Sequence, residues 1–133
     1  MTIRLRNGCL SKPRALTMGE RVRDGLHITE RMWQDKVEHL AILNGWWVDH
    51  KTPMRYANGH VRTTGLPGMP DLTLIHPAGH GLIMAELKTE RGHMSEAQHR
   101  VANALVRNGI EFYLWRPSDL KHVEERLARW RKH

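Results

Sequence analysis

Three side chains near the middle of the sequence have the types and spacing for phosphate chemistry: Asp71, which follows Pro70, and the pair Glu86 and Lys88, two positions apart. On a strand alternate side chains share a face, so Glu86 and Lys88 project together while Ala85 and Leu87 project to the other side. Ile83, Ala85 and Leu87 make an apolar face expected in the core. Two charges beside Met84 then lie where burial is costly unless something pairs with them. A hard divalent cation is a suitable partner. Magnesium and manganese take one or two carboxylates, keep several waters and accept substrate phosphate for the rest. Asp71 and Glu86 supply two carboxylates in this reading, and the Leu87 backbone carbonyl a further oxygen. A cation so held acidifies a bound water and stabilises charge building on phosphate. Lys88 then orients that water or stabilises the oxygens around the pentacovalent phosphorus. Read alone, the same residues describe a cross-strand ion pair and a turn aspartate equally well, so the surroundings decide.

The elements that must position these residues follow from periodicity. Residues 1–26 are basic, with Arg4, Arg6, Lys12, Arg14, Arg21 and Arg23 outnumbering Glu20 and Asp24. They read as a flexible arm preceding a single domain over 27–133. A helix is predicted from Thr29, as N-cap, to Asn44, with Trp33, Val37, Leu40 and Ala41 facing the core and Gly45 ending it. Trp46 to Val48 open a short strand, and one of the two tryptophans is expected in the core rather than stacked on a base. From Lys51 to Met69 the pattern is irregular and ends in GLPGMPD, whose glycines serve a bent turn or a phosphate nest. A hairpin follows, Asp71–His76 and Leu82–Lys88 around a turn at 77–81. A helix over Ser95–Asn108 is expected to turn Ala97, Val101, Ala104 and Leu105 inward. A strand over Ile110–Trp115 comes next. Ser118 then caps a last helix carrying Leu120, Val123, Leu127 and Trp130. This order fits an α/β fold, a mixed central sheet flanked by helices.

Composition narrows the partner. The chain of 133 residues has 21 Lys and Arg against 14 Asp and Glu, a formal charge of +7 and a pI near 10.2. Such an excess favours a polyanion, because neutralised phosphates release condensed counterions. Arg55, Arg62, Arg91 and Arg116 are the expected backbone contacts. The lone Cys9 excludes an internal disulfide and a four-thiolate zinc site. The ten histidines show no ligand spacing that a zinc site needs. No apolar run reaches membrane-spanning length, and the basic first ten residues lack a secretory signal's apolar stretch, so a cytoplasmic address is expected.

The segments GLPGMPDLTLI (Gly65–Ile75), AELKTERG (Ala85–Gly92), SEAQ (Ser95–Gln98) and YLWRPSD (Tyr113–Asp119), in that order, resemble the VRR-NUC (virus-type replication-repair nuclease) family of the PD-(D/E)xK superfamily. The resemblance spans about Glu30 to Leu120. It implies a restriction-endonuclease-like core and magnesium- or manganese-dependent cleavage of DNA. Small stand-alone members resemble phage proteins, for which the host cytoplasm is the expected site of action. Some are similar to Holliday-junction resolvases that work as homodimers. Under this resemblance Asp71 and Glu86 bind metal, Glu30 on the first helix completes the metal site, and Lys88 serves the attacking water. Gln98 matches the family's glutamine on the helix after the ExK strand. Gln34 and Arg116 match less closely, and Glu38 competes with Glu30.

Each assignment has a plain counterpart. Glu30 suits the positive end of a helix dipole. Ser95 and Gln98 have the spacing of a capping box. The enzyme reading has two rivals: a non-catalytic basic nucleic-acid-binding domain whose acids make structural ion pairs, and a nuclease that cuts RNA.

Overall fold

In a computed structural model the described residues are 5–6, 9–10, 15–23, 27–52, 54–62 and 65–128. Elements run in the order β1 (Leu5–Arg6), β2 (Cys9–Leu10), α1 (Met18–Arg23), α2 (Glu30–Leu43), β3 (Trp47–His50), β4 (Met54–Arg55), β5 (Val61–Arg62), β6 (Leu72–Ile75), β7 (Leu82–Leu87), α3 (Glu96–Arg107), β8 (Glu111–Trp115) and α4 (Leu120–Leu127), the last preceded by a 3-10 turn at Pro117–Asp119. The basic segment 1–26 thus contains β1 and β2, which pair antiparallel, and the short α1.

A four-stranded mixed sheet in the order β3-β6-β7-β8 forms the centre. β3, β6 and β7 are antiparallel, and β8 lies parallel to β7 because the chain crosses over through α3. One sheet face is apolar: Leu72 and Leu74 of β6, Ile83, Ala85 and Leu87 of β7, and Trp115 of β8 are all buried. Against it pack Trp33, Val37 and Ala41 of α2 and Leu120, Val123 and Leu127 of α4, forming one core. α4 therefore spends its apolar stripe inside its own chain. Trp130 lies outside the described residues.

Local chemistry explains the ends. The Thr29 hydroxyl accepts from the Met32 amide at 3.1 Å and starts α2. Trp46 enters the core, its indole N–H donating to the Leu127 carbonyl at 3.1 Å, while Trp47 beside it is 62% exposed. The alternation of a strand sends neighbours to opposite sides. At 77–81 the chain turns as expected, His76 N–H closing on the Gly81 carbonyl at 3.0 Å.

Three expectations change. The stretch from 51 to 69 is not wholly irregular, because β4 and β5 form a small hairpin pairing Met54 with Arg62 and Arg55 with Val61. In α3, Ala102 is the buried residue and Ala104 is exposed. Ala97, Val101 and Leu105 are half-buried, so Ala104 alone of the expected stripe is exposed. Ser118 does not cap α4. It sits inside the 3-10 turn, and Asp119 takes the N-cap position.

Candidate active site

Strand register builds the site. Leu72 pairs with Ala85, so one step outward Asp71 stands across from Glu86. His50 pairs with Leu72, so one step outward Lys51 stands across from Asp71, and there the Lys51 N–H donates to the Asp71 carbonyl at 3.0 Å. Directly opposed residues share a face. Lys51, Asp71 and Glu86 therefore make one row across three strands, on the face opposite the core, with Lys88 one alternation beyond Glu86.

The row is tightly bonded. Asp71 Oδ2 accepts from the Leu87 N–H at 2.9 Å, beyond the last position at which β6 pairs with β7. Glu86 is only 2% exposed, the one buried charged side chain among the described residues. Its Oε1 accepts from Gln98 Nε2 at 3.0 Å and lies 3.9 Å from Lys88 Nζ. Burial pushes the Glu86 carboxyl up from about 4.5 to about 8; hydrogen bonding and repulsion from Asp71 push the same way, while Lys88 and Lys51 pull it down. The Asp71 carboxyl thus lies close enough to act directly on that of Glu86.

Gln98 reaches this pair without giving up its helix. Its Oε1 accepts from the Ser95 N–H at 2.7 Å and its backbone N–H donates to Ser95 Oγ at 3.1 Å, a complete capping box. The capping role and the Glu86 contact use opposite ends of one amide. The helix is fixed against the turn before Asp71 by close backbone contact. A Cβ on Gly68, whose φ is +90°, would lie 2.4 Å from the Ala97 carbonyl oxygen.

The end of β7 is held as firmly. Lys88 N–H donates to the Trp115 carbonyl at 3.1 Å, and the Trp33 indole donates to the same oxygen at 2.9 Å. The turn Thr89–Gly92 then folds against the Lys88 stem; a Cβ on Gly92 would come 3.4 Å from Lys88 Cδ. Arg116 gathers this turn: its NH1 donates to the carbonyls of Thr89 and Gly92, each at 2.6 Å. Glu90 in turn receives the Ser118 N–H at 2.6 Å and its hydroxyl at 3.0 Å, tying the turn to the start of α4.

The other expected residues lie as follows. Glu30 is exposed in the first turn of α2. Glu38 engages Gln34 Nε2 at 3.2 Å and faces His50 at 3.8 Å. Arg91 is exposed in the turn beside Lys88. The side chains of Arg55 and Arg62 lie outside the described residues. Among the described residues no three His, Cys, Asp or Glu side chains form a group able to hold a metal ion. Two carboxylates alone are a donor set that would suit magnesium or manganese, with waters completing the shell, better than zinc.

Sequence reasoning missed Lys51 and Glu90. Lys51 becomes visible only once β3 is known to run to His50 and to pair with β6. Glu90 had no local signal at all.

No protein-family model and no curated protein matches the sequence. Among solved structures, the chain is similar to a VRR_NUC domain at 23% identity, with a TM-score of 0.52, over 72% of this chain and 90% of that one. No helix among the described residues is long and apolar enough to cross a membrane. The chain thus shares the fold of a solved VRR_NUC domain, a mixed sheet flanked by helices.

Proposed function

We propose that this chain is a metal-dependent endonuclease that hydrolyses phosphodiester bonds in branched DNA. The observation that carries the reading is the meeting of Asp71 and Glu86 across β6 and β7, with Lys88 3.9 Å from the Glu86 carboxyl. Glu86 is buried beside a second carboxyl, and both burial and Asp71 raise it to about 8, an unfavourable arrangement that a domain merely gripping phosphate does not need.

Asp71, Glu86 and the Leu87 carbonyl would hold Mg2+ or Mn2+. Such a cation supplies positive charge to the scissile phosphate and lowers the pKa of a water. The remaining work belongs to the chain. Gln98 fixes the rotation of the Glu86 carboxyl, and the Leu87 N–H fixes that of Asp71. Lys88, its stem covered by the Thr89–Gly92 turn, holds the attacking water and offsets charge on the phosphate. Arg91, exposed in the turn beside Lys88, contacts flanking phosphate, whereas Arg116 is committed to the Thr89 and Gly92 carbonyls. The net charge of +7 favours binding through the backbone and selection by DNA shape. A homodimer would set two such sites to cut both strands of a junction.

The test is a panel of Holliday-junction, flap, duplex and single-stranded DNAs and an RNA duplex, each with Mg2+, Mn2+ or EDTA. Cleavage of branched DNA that stops in EDTA and in Lys88→Ala, with binding retained, supports the reading. Binding without cleavage under every condition would leave a non-catalytic domain, and preferential cutting of RNA would change the substrate.

A further inference from the structure

The turn that delivers Asp71 packs against α3 at Gly68 and carries one long internal bond, from the Met69 N–H to the Leu66 carbonyl at 3.4 Å, while Pro70 lacks an N–H. A neighbouring strand adds further support. Lys51 lies just past β3 and bonds the turn at two points, its backbone N–H to the Asp71 carbonyl at 3.0 Å and its Nζ to the Met69 carbonyl at 2.9 Å. The two bonds straddle Pro70. Lys51 is also half-buried, and its ammonium is engaged within the chain.

We propose that Lys51 is a positioning residue for the carboxylate pair, clamping the turn at residues 69–71 so that the Asp71 carboxylate meets both the Leu87 N–H and Glu86. The proposal rests on the nuclease reading for its catalytic consequence, but its structural part stands separately. A lysine that contacted DNA would present its ammonium outward. This one spends a hydrogen bond on a carbonyl within the chain. An arginine can make the same two-point grip, because its backbone N–H is unchanged and its guanidinium has donors to spare. A methionine of similar length keeps the backbone bond and loses the Met69 contact.

The Leu87 amide reports the result directly, since its partner is Asp71 Oδ2 at 2.9 Å. In the metal-free full chain, amide exchange by NMR at Leu87 should be about tenfold faster in Lys51→Met, with Leu74 in the centre of β6 unchanged, consistent with loss of one local hydrogen bond. With Mg2+ and branched DNA, kcat should fall about tenfold or more while KM stays within about threefold, the pattern of an interaction that serves the transition state. Lys51→Arg should restore both. Lys51→Gln repeats the test should the methionine variant unfold. Leu87 exchange and kcat equal to the parent protein overturn the proposal, as does a raised KM at constant kcat, which would make Lys51 a DNA contact. Equal acceleration at Leu74 and Leu87 overturns it too, by showing general loosening. If the parent chain cuts nothing while Lys51→Met still frees Leu87, the nuclease reading falls and the clamp stands.

Discussion

Gln98 holds Glu86 with its amide nitrogen, at 3.0 Å, while its amide oxygen closes the first turn of α3 on the Ser95 N–H, at 2.7 Å. One side chain therefore sets both where the helix begins and how the buried carboxyl is turned. Substitutions that preserve one function and not the other separate the two.

Gln98→Glu keeps an acceptor for the Ser95 N–H, and glutamate is a natural partner in a capping box. It removes the amide donor and sets a third carboxylate beside Asp71 and Glu86. Helix content by circular dichroism should survive, while cleavage falls at least about tenfold. Gln98→Ala loses both bonds and should cost about 1–3 kcal/mol in urea unfolding.

The Glu86 carboxyl gives the metal-free protein an unusual pH dependence. Its folded value, about 8, lies above the ordinary value of about 4.5. Between those values the folded chain keeps a proton that the unfolded chain has released. Stability should therefore decline as pH rises from about 4.5 towards about 8, and level off above. Urea midpoints across that range check it. Glu86→Gln should flatten the decline while abolishing cleavage, and saturating Mg2+ should oppose it by favouring the ionised pair.

Asp71→Asn leaves an oxygen for the Leu87 N–H but removes one of two negative charges from the proposed cation site. Calorimetry should show weaker Mn2+ binding by at least about tenfold, with the unfolding midpoint little changed. An unaltered affinity would remove Asp71 from the metal site.

Gly68 and Gly59 both have positive φ, at +90° and +86°, yet a Cβ at Gly59 meets nothing within 4 Å whereas one at Gly68 strikes the Ala97 carbonyl. Gly59→Ala should cost about 1 kcal/mol from backbone strain. Gly68→Ala should cost about 2 kcal/mol or more, because neither backbone can yield easily. Its cleavage should fall as well, since the contact separates the turn before Asp71 from the helix carrying Gln98.

Arg116→Ala should release the turn over Lys88. Thermal unfolding should register a loss of about 1–3 kcal/mol, and kcat should drop with little change in DNA affinity. If affinity alone weakens, the guanidinium is chiefly a phosphate contact.

Much of this was legible in the residues. Capping signals placed α2 and α3 to within a residue, and alternation in β7 assigned Ile83, Ala85 and Leu87 to the core and Glu86 to the other face. The PD and ExK segments pointed to the carboxylate pair. What stayed hidden depends on partners distant in sequence. Lys51 joins the row through strand register, Ser118 yields the cap of α4 because Glu90 captures it inside a 3-10 turn, and α3 buries Ala102 while leaving Ala104 exposed. Local pattern constrains which face of an element is apolar. It does not say which neighbour that face will meet.

The Trp115 carbonyl accepts from two donors, the Trp33 indole in the core and the backbone amide of Lys88. A single oxygen is thus the junction between the part of the molecule that keeps it folded and the part proposed to cut. Repacking around Trp33 would tilt the peptide on which Lys88 hangs. Efforts to make the protein more thermostable through that tryptophan should therefore register first as altered turnover.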